Sequence, residues 1–167
     1  MNYHKIEKTS IANGEGIRVV LWVSGCSLYC KGCHNPETWH SNSGKLFDNN
    51  AKKELFEALD KSYIQGITFS GGHPLEKANI DEVYYLCKEI KEKFPNKDIW
   101  LYTGYLFENI KSYPIMQYID IIVDGKYIEE LRDLTLKFCG SKNQRLIDVQ
   151  KSLKENKMIL YNLDYNN

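Results

Sequence analysis

The chain repeats one pattern: a short apolar run rich in β-branched residues, a turn with distinctive chemistry, then an amphipathic helix. Residues 17–23 (Ile-Arg-Val-Val-Leu-Trp-Val) read as a buried strand. Residues 66–70 and 98–103 read the same way, and 119–124 gives a fourth strand. Between them, 51–59 and 80–94 carry apolar side chains at helical spacing, among them Leu55 and Leu59, then Val83, Leu86, Cys87, Ile90 and Phe94. A shorter helix is expected at 106–110. Strand and helix alternate at intervals of roughly thirty residues, which predicts βαβ units and a mostly parallel sheet. In such sheets ligands bind beyond the carboxyl ends of the strands.

Those ends are where the unusual residues fall. The first strand runs into Cys26, Cys30 and Cys33, spaced C-x3-C-x2-C. The second runs into Gly71-Gly72-His73-Pro74, the third into Thr103-Gly104, and the fourth into Asp124-Gly125-Lys126. Three thiols on a short loop hold three corners of a [4Fe–4S] cube and leave one iron for a ligand that is not protein. Structural zinc normally takes four protein ligands, which would require His34 or His40 to join the cysteines. Cys87 sits on an apolar helix face and reads as a core residue, and neither it nor Cys139 is expected to bind the cluster.

Size and composition limit the alternatives. The 167 residues suit one domain, with 150–167 a possible C-terminal extension and 154–167 an extra strand or docking segment. Lys+Arg and Asp+Glu are both 22, which argues against a general nucleic-acid binder. No apolar run has the length of a membrane span, and the start lacks a signal-peptide core, so a cytoplasmic protein is expected. Clustered cysteines suit a reducing compartment and a metal site.

The cysteine spacing resembles the signature of the radical S-adenosylmethionine (radical SAM) superfamily. Five ordered segments narrow the resemblance to the glycyl-radical-enzyme activases that serve anaerobic ribonucleoside-triphosphate reductase. They are Asn13 to Arg18, Cys33 to Trp39, Ser70 to Leu75, Asp124 to Lys126 and Gly140 to Arg145. The resemblance implies a partial (βα) barrel of radical SAM type, one [4Fe–4S] cluster on Cys26, Cys30 and Cys33, and S-adenosyl-L-methionine (SAM) as its open-site ligand. Reduction of SAM at the cluster would give methionine and a 5′-deoxyadenosyl radical, which takes a hydrogen atom from a glycine of the large reductase subunit. A reduced donor such as flavodoxin would supply the electron. No side chain beyond the cluster site is expected to be catalytic.

The resemblance also assigns SAM contacts. Gly32, Cys33 and His34 correspond to the adenine-contacting stretch, and the Gly71-Gly72 backbone to the site that receives the methionine ammonium. His73 stands where the family has an acid. Asp124 and Lys126 match an Asp-x-Lys segment that meets SAM, or form a solvated turn. Arg18 and Arg145 read equally as core ion pairs or partner contacts. Asn13 to Gly16 reads as a hairpin or as a cradle for a partner loop. Gly140 to Arg145 lacks phosphate-loop spacing. The competing functions are activation of another glycyl-radical enzyme, such as pyruvate formate-lyase, and a non-catalytic iron–sulfur or zinc electron-transfer module.

Overall fold

The first strand of the molecule is one that hydropathy does not mark. In the computed structural model, which describes residues 1–163, β1 (Asn2–Ser10) pairs antiparallel with β2 (Arg18–Val23). The two-residue β3 (Lys45–Leu46) lies on the outer side of β1. Then follow α1 (Asn49–Leu59), β4 (Gly66–Gly71), α2 (Ile80–Lys93), β5 (Asp98–Tyr102), α3 (Phe107–Ile110) and β6 (Ile121–Asp124). The chain turns back as β7 (Arg145–Asp148) and ends its regular structure in α4 (Val149–Glu155). The seven strands form one sheet in the order β3-β1-β2-β4-β5-β6-β7. β2, β4, β5 and β6 are parallel neighbours, and β7 is antiparallel to β6.

The four expected strands therefore exist, in sequence order and parallel. The fold is α/β, as expected, and its one sheet is open, parallel at the centre and mixed overall. Its flanks, β1 and β7, are antiparallel, because each connects to its neighbour by a chain reversal and has no crossover helix.

Among the described residues, α1 to α4 all pack on one face. Alternate residues of the central strands (Val19, Leu21, Ile67, Phe69, Ile99, Leu101 and Ile122) are buried in one cluster with side chains of α1, α2, α3 and α4. On the opposite face Trp100, Ile121 and Val123 pack against Phe138, Leu146 and Tyr161, apart from the side chains of α1 to α4. The α1 helix starts where Asp48 accepts a hydrogen bond from the Ala51 amide (2.9 Å). Residues 159–161 add an edge to β7: Asp148 donates to the Ile159 carbonyl (3.0 Å) and Tyr161 to that of Leu146 (2.9 Å). This is a single bridge between Ile147 and Leu160 and not a full strand, and residues 164–167 of the segment expected as an extra strand or docking segment lie outside the described residues. Among the described residues no helix is long and apolar enough to cross a membrane.

The face opposite α1 to α4 is closed at its lower end by the loop from β1 to β2. Arg18 anchors this loop from within the sheet. Fully buried, Arg18 donates to Thr68 Oγ1 (2.9 Å), the Ile67 carbonyl (2.9 Å) and the Glu15 carbonyl (3.0 Å), and pairs with the Asp98 carboxylate. Its guanidinium sits 5.2 Å from the Trp100 ring centre. Gly14 has φ +139, and a Cβ there would meet Arg18 at 2.8 Å and Trp100 at 3.0 Å. The Asn13 to Gly16 segment is thus a hairpin connection folded onto the sheet, and Arg18 is a core ion pair.

Removing the charge of Asp98 leaves a buried guanidinium uncompensated. Asp98→Asn is expected to lower unfolding free energy by about 3 kcal/mol in urea titrations. Adding Arg18→Met should restore part of that loss, because the remaining group is then apolar. A fully additive double variant would contradict the assignment.

Candidate functional site

The upper half of the face opposite α1 to α4 is a cavity of about 280 Å³. Its wall includes Cys26, Cys30, Cys33 and His34 from the loop after β2, and Gly71, Gly72 and His73 after β4. Thr103 and Gly104 after β5 and Gly125 after β6 complete the rim, with Trp22, Trp39, Tyr102 and Tyr127 as aromatic surface. Parallel strands put all four exits at one edge, and the helices on the far face leave that edge open.

The glycine turn exists to let two strand exits touch. Gly72 donates to the Val23 carbonyl and His73 to that of Gly25, both at 2.7 Å. A Cβ on Gly71 would lie 2.7 Å from Val23 O, and one on Gly72 would lie 2.6 Å from Gly25 O. Gly71 also has φ +99. Asn79, at the start of α2, donates from its amide to the carbonyls of Ser24 (2.7 Å) and His73 (3.0 Å). Glu76 accepts from both the amide and hydroxyl of Ser27 at 2.9 Å. The cysteine loop is thereby bonded at its root to the glycine turn. Although partial burial pushes the Glu76 carboxyl up, the Ser27 bonds bring it below its ordinary value.

The three thiols are free and half-buried. Burial raises the Cys26 thiol, and the Leu28 amide partly offsets this. Burial also raises Cys30, with the nearby Lys126 ammonium pulling the other way. Among the described residues no three Cys, His, Asp or Glu side chains converge to hold a single metal ion. A cubane binds each thiolate on a separate iron, so thiols that line one cavity without meeting at a point fit it better than they fit tetrahedral zinc. Two polar atoms belonging to wall residues, His73 Nδ1 (3.9 Å from the Glu76 carboxylate) and Trp39 Nε1, are buried without a hydrogen-bond partner in the protein. The three soft donors and unsatisfied polar groups thus fit an iron–sulfur group with a polar ligand.

A family model described as a 4Fe-4S single cluster domain matches residues 12–147. The chain is 49% identical, over 146 residues, to the anaerobic ribonucleoside-triphosphate reductase-activating protein of Enterobacteria phage T4; the match covers 87% of this chain and 93% of that protein. Proteins of the same name from Haemophilus influenzae and Escherichia coli K12 are each 39% identical over 148 residues, covering 86% of this chain and 96% of theirs. The chain belongs to this family of activating proteins.

Membership bears out the resemblance carried by the five segments, and the structure gives those segments physical roles. Within this activating-protein fold, Gly32 (φ +71) lies under the turn after β6: a Cβ there would meet the Glu129 carboxylate at 2.0 Å. Glu129 also accepts from the Tyr127 hydroxyl (2.5 Å), and Tyr127 faces His34 at 5.1 Å between ring centres. Neither Gly32, Asp124 nor Lys126 is part of the cavity wall, whereas the other expected site residues are.

Asp124 is fully buried, and its carboxylate is already engaged. It accepts from Arg145 at 3.0 and 2.5 Å and from the Phe107 amide at 2.8 Å. Arg145 also forks onto Glu108 at 3.0 and 2.8 Å. Lys126 is exposed. The Gly140 to Arg145 segment clamps the exit of β6. Gln144 accepts from the Gly140 amide (2.8 Å) and donates to the Gly125 carbonyl (3.0 Å), while Asn143 donates to that of Lys126 (2.8 Å). Sequence reading did not single out Glu76, Asn79, Glu129 or Gln144. A carboxylate three residues after His73 was the visible trace of the first.

Cys87 is fully buried in the helix-side core, and its thiol is pushed up strongly by burial. Cys139 packs near Trp100 on the other face, with its thiol pushed up to about 11 by burial and by Asp124. Neither lines the cavity.

His73 is 1% exposed, bonded through Nε2 to Thr103 Oγ1 (2.7 Å), with the Tyr105 ring edge-on at 4.4 Å. Burial lowers its pKa to about 4, against the pull of Glu76. The unfolded chain, with an ordinary ring near 6.5, binds more protons between those values, so stability falls as pH drops from about 6.5 to 4. Urea titration of metal-free protein should show this loss reduced in His73→Gln by up to about 1 kcal/mol per pH unit. Equal pH slopes in the two proteins would contradict a neutral buried ring.

Proposed function

We propose that this chain is a radical SAM activase. It holds one [4Fe–4S] cluster on Cys26, Cys30 and Cys33, binds SAM beside it, and forms the glycyl radical of the large subunit of anaerobic ribonucleoside-triphosphate reductase. The observation that carries the reading is the meeting of three thiols and the Gly71 to His73 turn in one cavity, in a chain 49% identical to a protein named for that activation. When bound, cluster and SAM supply the one-electron chemistry that yields methionine and a 5′-deoxyadenosyl radical.

The chain's own residues bind, orient and exclude water. Raised Cys26 and Cys30 thiols mean that loading the cluster expels protons. The Gly72 and His73 amides are spent on Val23 and Gly25, so the turn offers carbonyl oxygens, which suit an ammonium. The neutral His73 ring adds a polar atom without a charge that would repel that ammonium. Lys126, close enough to Cys30 to influence its thiol, is the cation for the methionine carboxylate. Asp124 acts through Arg145, as a positioning residue for the turn that carries Lys126. Cys33 and His34, with Tyr127 behind His34, provide the surface for adenine, and Gly32 beside them lets the loop pass close to Glu129. Aromatic walls keep water from a reactive radical.

The layer of α1 to α4 on one side supports reading the open sheet as a barrel segment, with the cavity-bearing face left for a partner's glycine loop. A reduced donor such as flavodoxin, in the cytoplasm, completes the system. The relatives named above favour this reading over a pyruvate formate-lyase activase, and among the described residues no ligand set converges for zinc.

Anaerobically reconstituted protein should bind about four irons and four sulfides per chain, as one cubane requires. Alanine at Cys26, Cys30 or Cys33 should abolish both the cluster and reductive SAM cleavage, while Cys87→Ala and Cys139→Ala keep them. Stoichiometric zinc without sulfide, or SAM cleavage surviving in Cys30→Ala, would contradict the proposal.

A further inference from the structure

Of the two unpartnered polar atoms on wall residues, His73 Nδ1 belongs to the turn already assigned to SAM. The indole nitrogen of Trp39 has no assigned role. Trp39 is held rigidly against the cysteine loop. Its carbonyl accepts from the Cys26 amide (2.9 Å), and the preceding Thr38 carbonyl accepts from the Gly25 amide (2.7 Å). Thr38 is itself buried, its hydroxyl donating to the Asn35 carbonyl (2.7 Å). The Trp39 ring meets Tyr29 edge-on, 5.2 Å between centres. Tyr29 lies between Cys26 and Cys30 and takes the left-handed conformation, φ +44. The chain segment after the third cysteine thus returns to the first, and puts an indole beside the loop.

Indole N–H only donates. Left buried without an acceptor, it carries the full desolvation penalty of the donor. Trp22, also in the wall, shows the ordinary solution: its indole donates to the Glu7 carboxylate at 3.0 Å. Trp39 has no such acceptor in the protein, and it shares the cavity wall with Cys26, Cys30 and Cys33. Thiolates and bridging sulfides are anionic acceptors, and the Asn35 amide already donates to Cys33 Sγ at 3.4 Å. A buried donor aimed at cluster sulfur stabilises the added negative charge of the reduced state.

We propose that the Trp39 indole N–H donates a hydrogen bond to a sulfur of the iron–sulfur cluster and raises its reduction potential. The inference rests on the cluster reading above. It makes Trp39 part of the electron-accepting apparatus, and gives the Cys33 to Trp39 segment a purpose beyond supplying one ligand.

Trp39→Phe keeps an aromatic ring against Tyr29 and removes the donor. In an EPR-monitored redox titration of reconstituted protein, the variant's midpoint potential should fall, with a reduction equilibrium shifted up to about tenfold, or 59 mV for one electron. Iron and sulfide content should stay unchanged. Independently, wild-type holoprotein carrying indole-¹⁵N tryptophan should show a ¹⁵N coupling in pulsed EPR of the reduced cluster. Loaded wild type without that coupling, or a fully loaded variant with an unmoved potential, overturns the inference and leaves the cluster reading intact. If the variant fails to load, the wild-type coupling decides alone. Wild type that takes up neither iron nor sulfide overturns the cluster reading and this inference together.

Discussion

Everything at the site hangs on a backbone contact between two strand exits. Val23 and Gly25 accept hydrogen bonds from Gly72 and His73 at 2.7 Å, across a gap that leaves no room for a side chain on Gly71 or Gly72. This contact sets the cysteine loop directly against the glycine turn. Asn79 and Glu76 then tie the loop to the segment that leads into α2. A larger residue at either glycine would separate the thiols from the turn that faces them. The rest of the architecture serves this contact: parallel pairing of β2 with β4 aligns the two exits, and helices on one face keep the other free.

The far side of the cavity is fixed by charge. Arg145 joins the Asp124 carboxylate to that of Glu108, and so links the end of β6 to the start of α3. The adjoining Gln144 and Asn143 hold the backbone of Gly125 and Lys126. This explains why Asp124 and Arg145 recur in the resemblance although neither reaches the cavity wall. They shape the turn on which Lys126 stands.

Much of this was legible in the sequence. The β-branched runs ending at Val23, Ser70, Thr103 and Asp124 became the four parallel strands, and their exits share one rim, as parallel pairing demands. Cys26, Cys30, Cys33, His34, Gly71, Gly72 and His73 come together at one cavity. Three kinds of feature were hidden. β1 is largely polar, because only Tyr3 and Ser10 of its nine residues are buried, and so it lacks the apolar signature of a strand. β7 is four residues long with a charge at each end, and is held by pairing that local sequence does not encode. The side-chain direction of Asp124 depends on Arg145, twenty-one positions later, and on the Phe107 amide. Long-range partners of this kind decide whether a residue touches a ligand or holds one that does.

The central claim is transfer of a radical to a partner. Its most direct test mixes the anaerobically reduced, cluster-loaded protein with SAM and the purified large subunit of the reductase, and records the EPR spectrum. The account predicts a carbon-centred radical on a glycine of the partner, identified by collapse of its hydrogen splitting when the partner carries α-deuterated glycine. The radical should require SAM and be absent with Cys30→Ala. SAM cleavage at full rate with no radical on the partner, or a radical that forms equally with the Cys30 variant, would contradict it.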